Sequence, residues 1–201
     1  MSIKIKIILI CAAVSSMFAS CTNVPAAESK KEETAPIKRE SAPAFPNVMS
    51  NWKVKEGYII KVQRNDQTEY PIFFKGLQAA IMFDENKPES SKLFASIEAS
   101  TIETGNNEMN AHAKEESVLN AQLFPIMSFE STVIKKMDTG YEATGKLNMK
   151  GITKEIQLPF VFRNDTFMGK FTIGAKDFEI TRKGAAPNGQ IKIELIIPVT
   201  K

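Results

Sequence analysis

Few residues in this chain are equipped for nucleophilic or metal chemistry. There is one His, His112, and there are two Cys, Cys11 and Cys21. Zinc sites take three or four Cys, His or carboxylate ligands, which this set hardly supplies. A Ser/His or Cys/His nucleophile would rest on that one imidazole. His112 therefore reads as a structural or solvent-facing side chain. Carboxylates adjoin at Glu32-Glu33 and Glu115-Glu116; immediate neighbours do not face each other on a helix, and these pairs read as solvated surface. Zinc enzymes and Ser/His or Cys/His nucleophile systems are thus disfavoured, and no metal or cofactor is expected. A hydrolase built on an unpaired Ser or Asp is the alternative; it would require a polar cleft with strongly shifted ionisable groups, and nothing in the spacing points to it. A net charge of +3, helped by Lys4 and Lys6, also excludes a charge-driven nucleic-acid binder.

Cys21 is the exception, because its surroundings define a chemistry. Lys4 and Lys6 precede the apolar run Ile7 to Val14, too short for a permanent transmembrane helix but the length of a signal-peptide core. The stretch Ser16-Met17-Phe18-Ala19-Ser20-Cys21 places small residues just before the Cys and resembles a bacterial lipoprotein signal. That resemblance implies removal of residues 1–20, acylation of Cys21 and an envelope protein anchored to a membrane, with its domain in the periplasm. Thr22, rather than Asp, follows the Cys and favours the outer membrane. Simple secretion is the other reading; it would leave an odd thiol in an oxidising compartment. Residues 21–46 carry Pro25, Pro36, Pro43 and Pro46 with mixed charge. Such a composition buries too little apolar surface to offset ordering, and it reads as a tether.

The elements that position everything else begin near residue 47. Period-two alternation is clear in Ile191-x-Ile193-x-Leu195-x-Ile197 and recurs at Tyr58 to Val62, Phe74 to Phe83, Ile97-x-Ala99, Met127-x-Phe129, Tyr141 to Met149, Ile156 to Phe160, Phe167 to Ile173 and Phe178-x-Ile180. Alternation of this kind marks half-buried strands, about eight of them. Turn residues separate them at Asn65-Asp66, Asp84 to Asn86, Asp138 to Gly140, Lys150-Gly151, Asn164-Asp165 and Asn188-Gly189. Only residues 106–122 lack alternation, and a short helical insertion is expected there.

The fold class is thus all-β, and about eight antiparallel strands must stack or close into a barrel; closure alone removes exposed edges. Small residues (Ala79, Ala99, Ala143, Gly145) share the apolar parity with Phe83, Phe129, Leu147 and Met149. Two readings follow. Small inward residues leave a hollow lumen, or they alternate with large ones to fill a tapering core. A filled barrel would be an envelope interaction or structural module.

Several blocks carry a family resemblance. They are Phe74-Lys75-Gly76-Leu77, Ile81-Met82-Phe83-Asp84, Ser96 to Asn106 ending in Thr104-Gly105-Asn106, Phe124 to Ser131, Gly145 to Lys154 with Gly151-Ile152-Thr153-Lys154, and Ile180-Thr181-Arg182. In this order and spacing, from about Trp52 to Val199, the chain resembles the YceI-like family of bacterial envelope proteins. The resemblance implies an extended lipocalin-like barrel, no catalysis, and a lumen holding a long polyisoprenoid, isoprenoid quinone or similar lipid. The ligand-binding positions expected on this basis and on shared parity are Phe74, Ile81, Phe83, Ile97, Ala99, Met127, Phe129, Gly145, Leu147, Met149, Phe160 and Ile180. Arg182 shares the parity of Phe178 and Ile180, and an inward Arg needs an anion, from a ligand head group or a rim carboxylate. The chain departs from the family pattern at Met109-Asn110-Ala111-His112-Ala113 and at Lys183-Gly184-Ala185-Ala186, where head-group contacts would be set.

Overall fold

The computed structural model describes residues 49–64, 67–181 and 189–201; the expected signal peptide, Cys21, the tether and Arg182 lie outside the described residues. The strands are β1 (Lys53–Val54), β2 (Ile59–Arg64), β3 (Gln67–Phe74), β4 (Leu77–Met82), β5 (Lys92–Glu98), β6 (Ile102–Glu103), β7 (Ile126–Met137), β8 (Gly140–Met149), β9 (Ile152–Arg163), β10 (Thr166–Gly174) and β11 (Gln190–Thr200). Among the described residues one α-helix, α1 (Asn107–Ala113), and three short 3-10 turns interrupt them. All pairings are antiparallel. The bonded order runs β4-β5-β7-β8-β9-β10-β11-β2-β3-β6, with β1 added to β11.

The two ends of that order are joined by the chain itself. Phe74 pairs with Ile102 and Leu77 with Ile97, so β3 and β4 form one strand and β5 and β6 its partner, both bent at the same level. Gly76 takes the bend at φ +73°, a conformation that costs glycine little. Thr101 Oγ1 donates to the carbonyl oxygens of Lys75 and Glu98 across it. β1 and β2 are likewise one broken strand along β11, and Trp52 bridges from β1 to Ile81 of β4. The expected eight strands are therefore present as eight staves, three of them broken, in a curled sheet whose edges meet.

Local chemistry explains the tight connections. Lys150-Gly151 and Asn164-Asp165 both have positive φ, at 58° and 72° and at 49° and 53°, the geometry two-residue hairpins require to match strand twist. A bulge between Ser131 and Val133 breaks the β7–β8 register. Its polar groups are engaged: Ser131 Oγ accepts from Leu93 N at 2.8 Å and Thr132 O accepts from Lys92 Nζ at 2.8 Å.

One departure from the sequence reading and one irregularity of the sheet stand out. Phe178-x-Ile180 is not a strand: Ala175–Phe178 form a 3-10 turn and Glu179 sits at φ 50°. β10 has already ended where its partner β11 begins, at Gly174 opposite Gln190, so no neighbour remains to pair with. The chain turns across the barrel end instead, where Thr181 N donates to Ser117 O at 2.8 Å. Second, β9 and β10 pair only from Arg163–Thr166 to Phe160–Gly169. Beyond Gly169 they part, although each stays paired on its other side, with β8 and β11 respectively.

Candidate functional site: an apolar lumen with one blind pole

The inward faces of the staves enclose a cavity of about 470 Å³. Its walls are aliphatic and aromatic. β11 contributes Ile191, Ile193, Leu195 and Ile197, and β10 contributes Phe167, Gly169, Phe171 and Ile173. The polar residues among its lining are Arg64, Thr104, Glu108, His112 and Ser128.

One pole is solid. Phe83, Tyr141, Phe160, Phe162 and Phe167 pack there with ring centroids 4.5 to 5.6 Å apart, mostly edge to face, the arrangement aromatic quadrupoles favour. Trp52 lies against Phe162 at 5.2 Å, and its Nε1 donates to Phe83 O at 3.0 Å. Lys201 Nζ stands over the indole at 5.2 Å. Of these rings only Phe160 and Phe167 line the lumen, so this floor presents carbon to a ligand.

The other pole is covered by α1 and the turns after it. Among the lining residues, Glu108 and His112 on α1 are the exposed ones, which places the mouth beside this helix. The helix is only seven residues long, and its start is firmly tied. Asn106 Oδ1 accepts from Glu108 N and Met109 N at 2.9 and 3.1 Å, an N-cap that meets two otherwise orphan donors. Asn110 Oδ1 accepts from Thr104 N and Thr104 Oγ1, at 2.8 and 2.7 Å. Glu103 accepts from Gly105 N at 2.8 Å and from Asn110 Nδ2 at 3.3 Å; the Gly105 N–H is the larger cause, and together they hold its carboxyl below the usual carboxylate range. The Thr104-Gly105-Asn106 block thus fixes the start of the covering segment. At the lip, His112 Nδ1 lies 2.8 Å from Glu115 Oε2.

Most of the positions expected from the sequence meet in this lumen. Phe74, Ile81, Ile97, Met127, Phe129, Leu147, Met149, Phe160 and Ile180 all line it. Three do not. Phe83 is buried behind Phe160 and Phe167 as part of the floor. Ala99 is fully buried in the 3-10 turn Ala99–Thr101, where the bend of β5 into β6 breaks the parity, and its N–H donates to Pro125 O at 2.8 Å. Gly145 is not a gap in the wall: the Phe129 ring lies across it, and a Cβ there would sit 2.7 Å from Phe129 Cζ and 2.4 Å from Glu130 O. Ile180 reaches the lumen from the turn rather than from a strand.

Sequence reasoning missed the lining from Ile60, Val62 and Ile72, most of β10 and β11, and the covering residues Met109, Val118 and Leu119. The strand residues share the parity already recognised and were legible on that basis. The covering residues had no such signal, since their place depends on how the insertion folds over the pole.

Fold and site together define a class: an antiparallel barrel with a buried apolar chamber, blind at one pole and covered at the other. The sequence matches the YceI-like domain over residues 57–198, and the chain belongs to that family. A UPF0312 protein of Pectobacterium carotovorum is 32% identical over 136 residues, covering 63% of this chain and 70% of that protein. Among solved structures, Burkholderia cenocepacia BcnA superposes with a TM-score of 0.69 at 19% identity, over 74% of this chain and all of that one. A domain from Saccharophagus degradans described as polyisoprenoid-binding gives a TM-score of 0.53 at 12% identity, over 74% of this chain and 98% of that domain.

Proposed function

We propose that this protein is a non-enzymatic carrier that holds an isoprenoid-type lipid, such as a prenyl chain or an isoprenoid quinone, in its lumen. One observation carries the reading: a cavity of about 470 Å³ walled by carbon inside a family barrel. A barrel filled by its own side chains, the alternative an interaction module would require, leaves no such space. An apolar tail gains about 0.8 kcal/mol for each methylene taken out of water, partly offset by its loss of freedom. The polar residues at the covered pole supply a place for a head group, whereas a head group at the floor would lose its hydrogen bonds. The polyisoprenoid-binding description of the Saccharophagus degradans domain supports the choice of ligand class.

The same proposal places the protein in the bacterial envelope, anchored through acylated Cys21 to the outer membrane with the domain in the periplasm; the lipoprotein-like stretch before Cys21 supports it. Intact mass of protein extracted from membranes tests the anchor: acyl chains on a chain beginning at Cys21 are expected, and an unmodified thiol would refute it. Ligand binding is tested by native mass spectrometry of protein purified without detergent, followed by solvent extraction. A co-purifying isoprenoid, or uptake of an added one, is the expected result. A ligand-free protein that takes up neither quinone nor prenyl phosphate would overturn the reading.

A further inference from the structure

We infer that the lipid's tail enters and leaves the lumen sideways, through a lateral portal between β9 and β10, with only its head group at the mouth beside α1; this rests on the lipid-carrier reading above. Pairing of the two strands stops at Phe160 and Gly169. Beyond that pair β9 keeps only its partner β8, from Ile152 to Pro159, and β10 only its partner β11, from Lys170 to Gly174, a slit of about 14 Å along β10. Its lips belong to the chamber. Ile156 and Leu158 of β9 and Phe171 and Ile173 of β10 all line the lumen, while Gln157 and Pro159 on one strand and Lys170 and Thr172 on the other are exposed. Had the register of Gly169 with Phe160 continued, Phe171 would stand opposite Leu158 and Thr172 opposite Gln157, and ladder bonds would seal the wall. The slit is bounded instead by the Phe160–Gly169 pair at the floor end and by Lys150 at the covered pole, where its Nζ donates to Glu179 O at 2.7 Å.

The two routes differ in what must break. To pass under α1, a tail has to lift a segment tied by the Asn106 cap, by Asn110 on Thr104 and by Thr181 N on Ser117 O, and groups that lose such partners in an apolar mouth are costly to leave unpaired. Between the lips, among the described residues, no backbone hydrogen bond has to be broken. Only side-chain contacts part there, and an entering tail replaces them with contacts of its own. The slit also runs from the floor to the covered pole. A chain can therefore enter along its length while its head group stays beside Glu108 and His112, instead of being drawn through one narrow end.

The test ties the slit shut. In the full-length, delipidated chain carrying Cys11→Ser and Cys21→Ser, the exposed pair Gln157→Cys and Thr172→Cys places a thiol on each strand, and oxidation joins them; a short bismaleimide limits their separation if the disulfide does not form. Uptake of geranylgeraniol, sampled over time by native mass spectrometry, is expected to slow at least about tenfold in the tied protein and to recover when the disulfide is reduced. Lys150→Asn removes the strut to Glu179 and keeps a residue that tolerates the positive φ of that turn; it is expected to load faster. Asn106→Ala, which loosens α1, should load within about twofold of the unaltered protein. Uptake unchanged by tying the strands and quickened by Asn106→Ala would overturn the portal and put the route under α1, leaving the carrier reading intact. Failure of every form to take up the lipid overturns the carrier reading itself.

Discussion

Two glycines on the barrel wall, Gly145 and Gly169, differ in how much room they leave. At Gly145 a Cβ would come within 2.4 Å of the Glu130 carbonyl oxygen and 2.7 Å of Phe129 Cζ; backbone cannot give way as a side-chain tip can. Gly145→Ala is expected to cost about 1–3 kcal/mol, the usual range for overpacking, read as a lower denaturant midpoint, and Gly145→Phe should not fold. At Gly169 the closest atoms are Pro159 O at 3.1 Å and Leu158 Cδ2 at 3.4 Å. The nearest atom is again a backbone carbonyl oxygen, but it has to move only a few tenths of an ångström, and the reduced freedom of the unfolded chain offsets part of that cost, so Gly169→Ala should lower the midpoint less than Gly145→Ala does. Glu103 gives a pH prediction. Its folded pKa is depressed, chiefly by the Gly105 N–H and next by the Asn110 amide, so its contribution is complete above the unfolded carboxylate pKa and is lost as pH falls through the folded value. Amide exchange in α1 should accelerate below the ordinary carboxylate range, and Glu103→Gln should flatten that dependence.

At the scale of elements, the covering helix and the first strand are the ones to probe. Asn106→Ala removes a cap that serves two backbone donors, a loss of about 1 kcal/mol, and because α1 has only seven residues it should fray: faster exchange at 107–113, with the barrel strands unchanged. A chain beginning at Asn47 should melt with the full-length protein. One beginning at Gly57, where the family match starts, loses Trp52, buried at 8% exposure, together with the Asn51 contacts to Phe83 N and O at 3.0 and 3.2 Å. Losing a buried Trp costs about 3–5 kcal/mol, and thermal melts of the two chains compare them. The strands themselves were legible because half-buried faces repeat every two residues. β3 was not recognised as far as Gln67, since Gln67-Thr68-Glu69-Tyr70-Pro71 shows no apolar alternation and is held by its partner β2. The pair Phe178 and Ile180 did alternate, yet a turn buried them; parity reports which side faces in, and pairing decides what is a strand.

For the molecule as a whole, parity identified the inner face but not how deep it is. Whether Phe83 lines a chamber or stands behind its end depends on contacts among strands far apart in sequence, such as Phe83 with Tyr141 and Phe167, and no local pattern encodes those. The choice between hollow and filled belonged to the same scale, because it turns on the sum of all inward volumes. The parting of β9 and β10 beyond Gly169 leaves its own spectroscopic trace. Successive backbone N–H groups of an edge strand point alternately toward and away from its partner, and from Lys170 to Gly174 β10 is paired on the β11 side only. In deuterated solvent these residues should therefore divide by parity, alternate amides retaining protons through their bonds to β11 and the intervening ones losing them early. A ligand or neighbour that zipped the two strands together would erase that comb, so five consecutive amides report whether the wall of the barrel is open or shut.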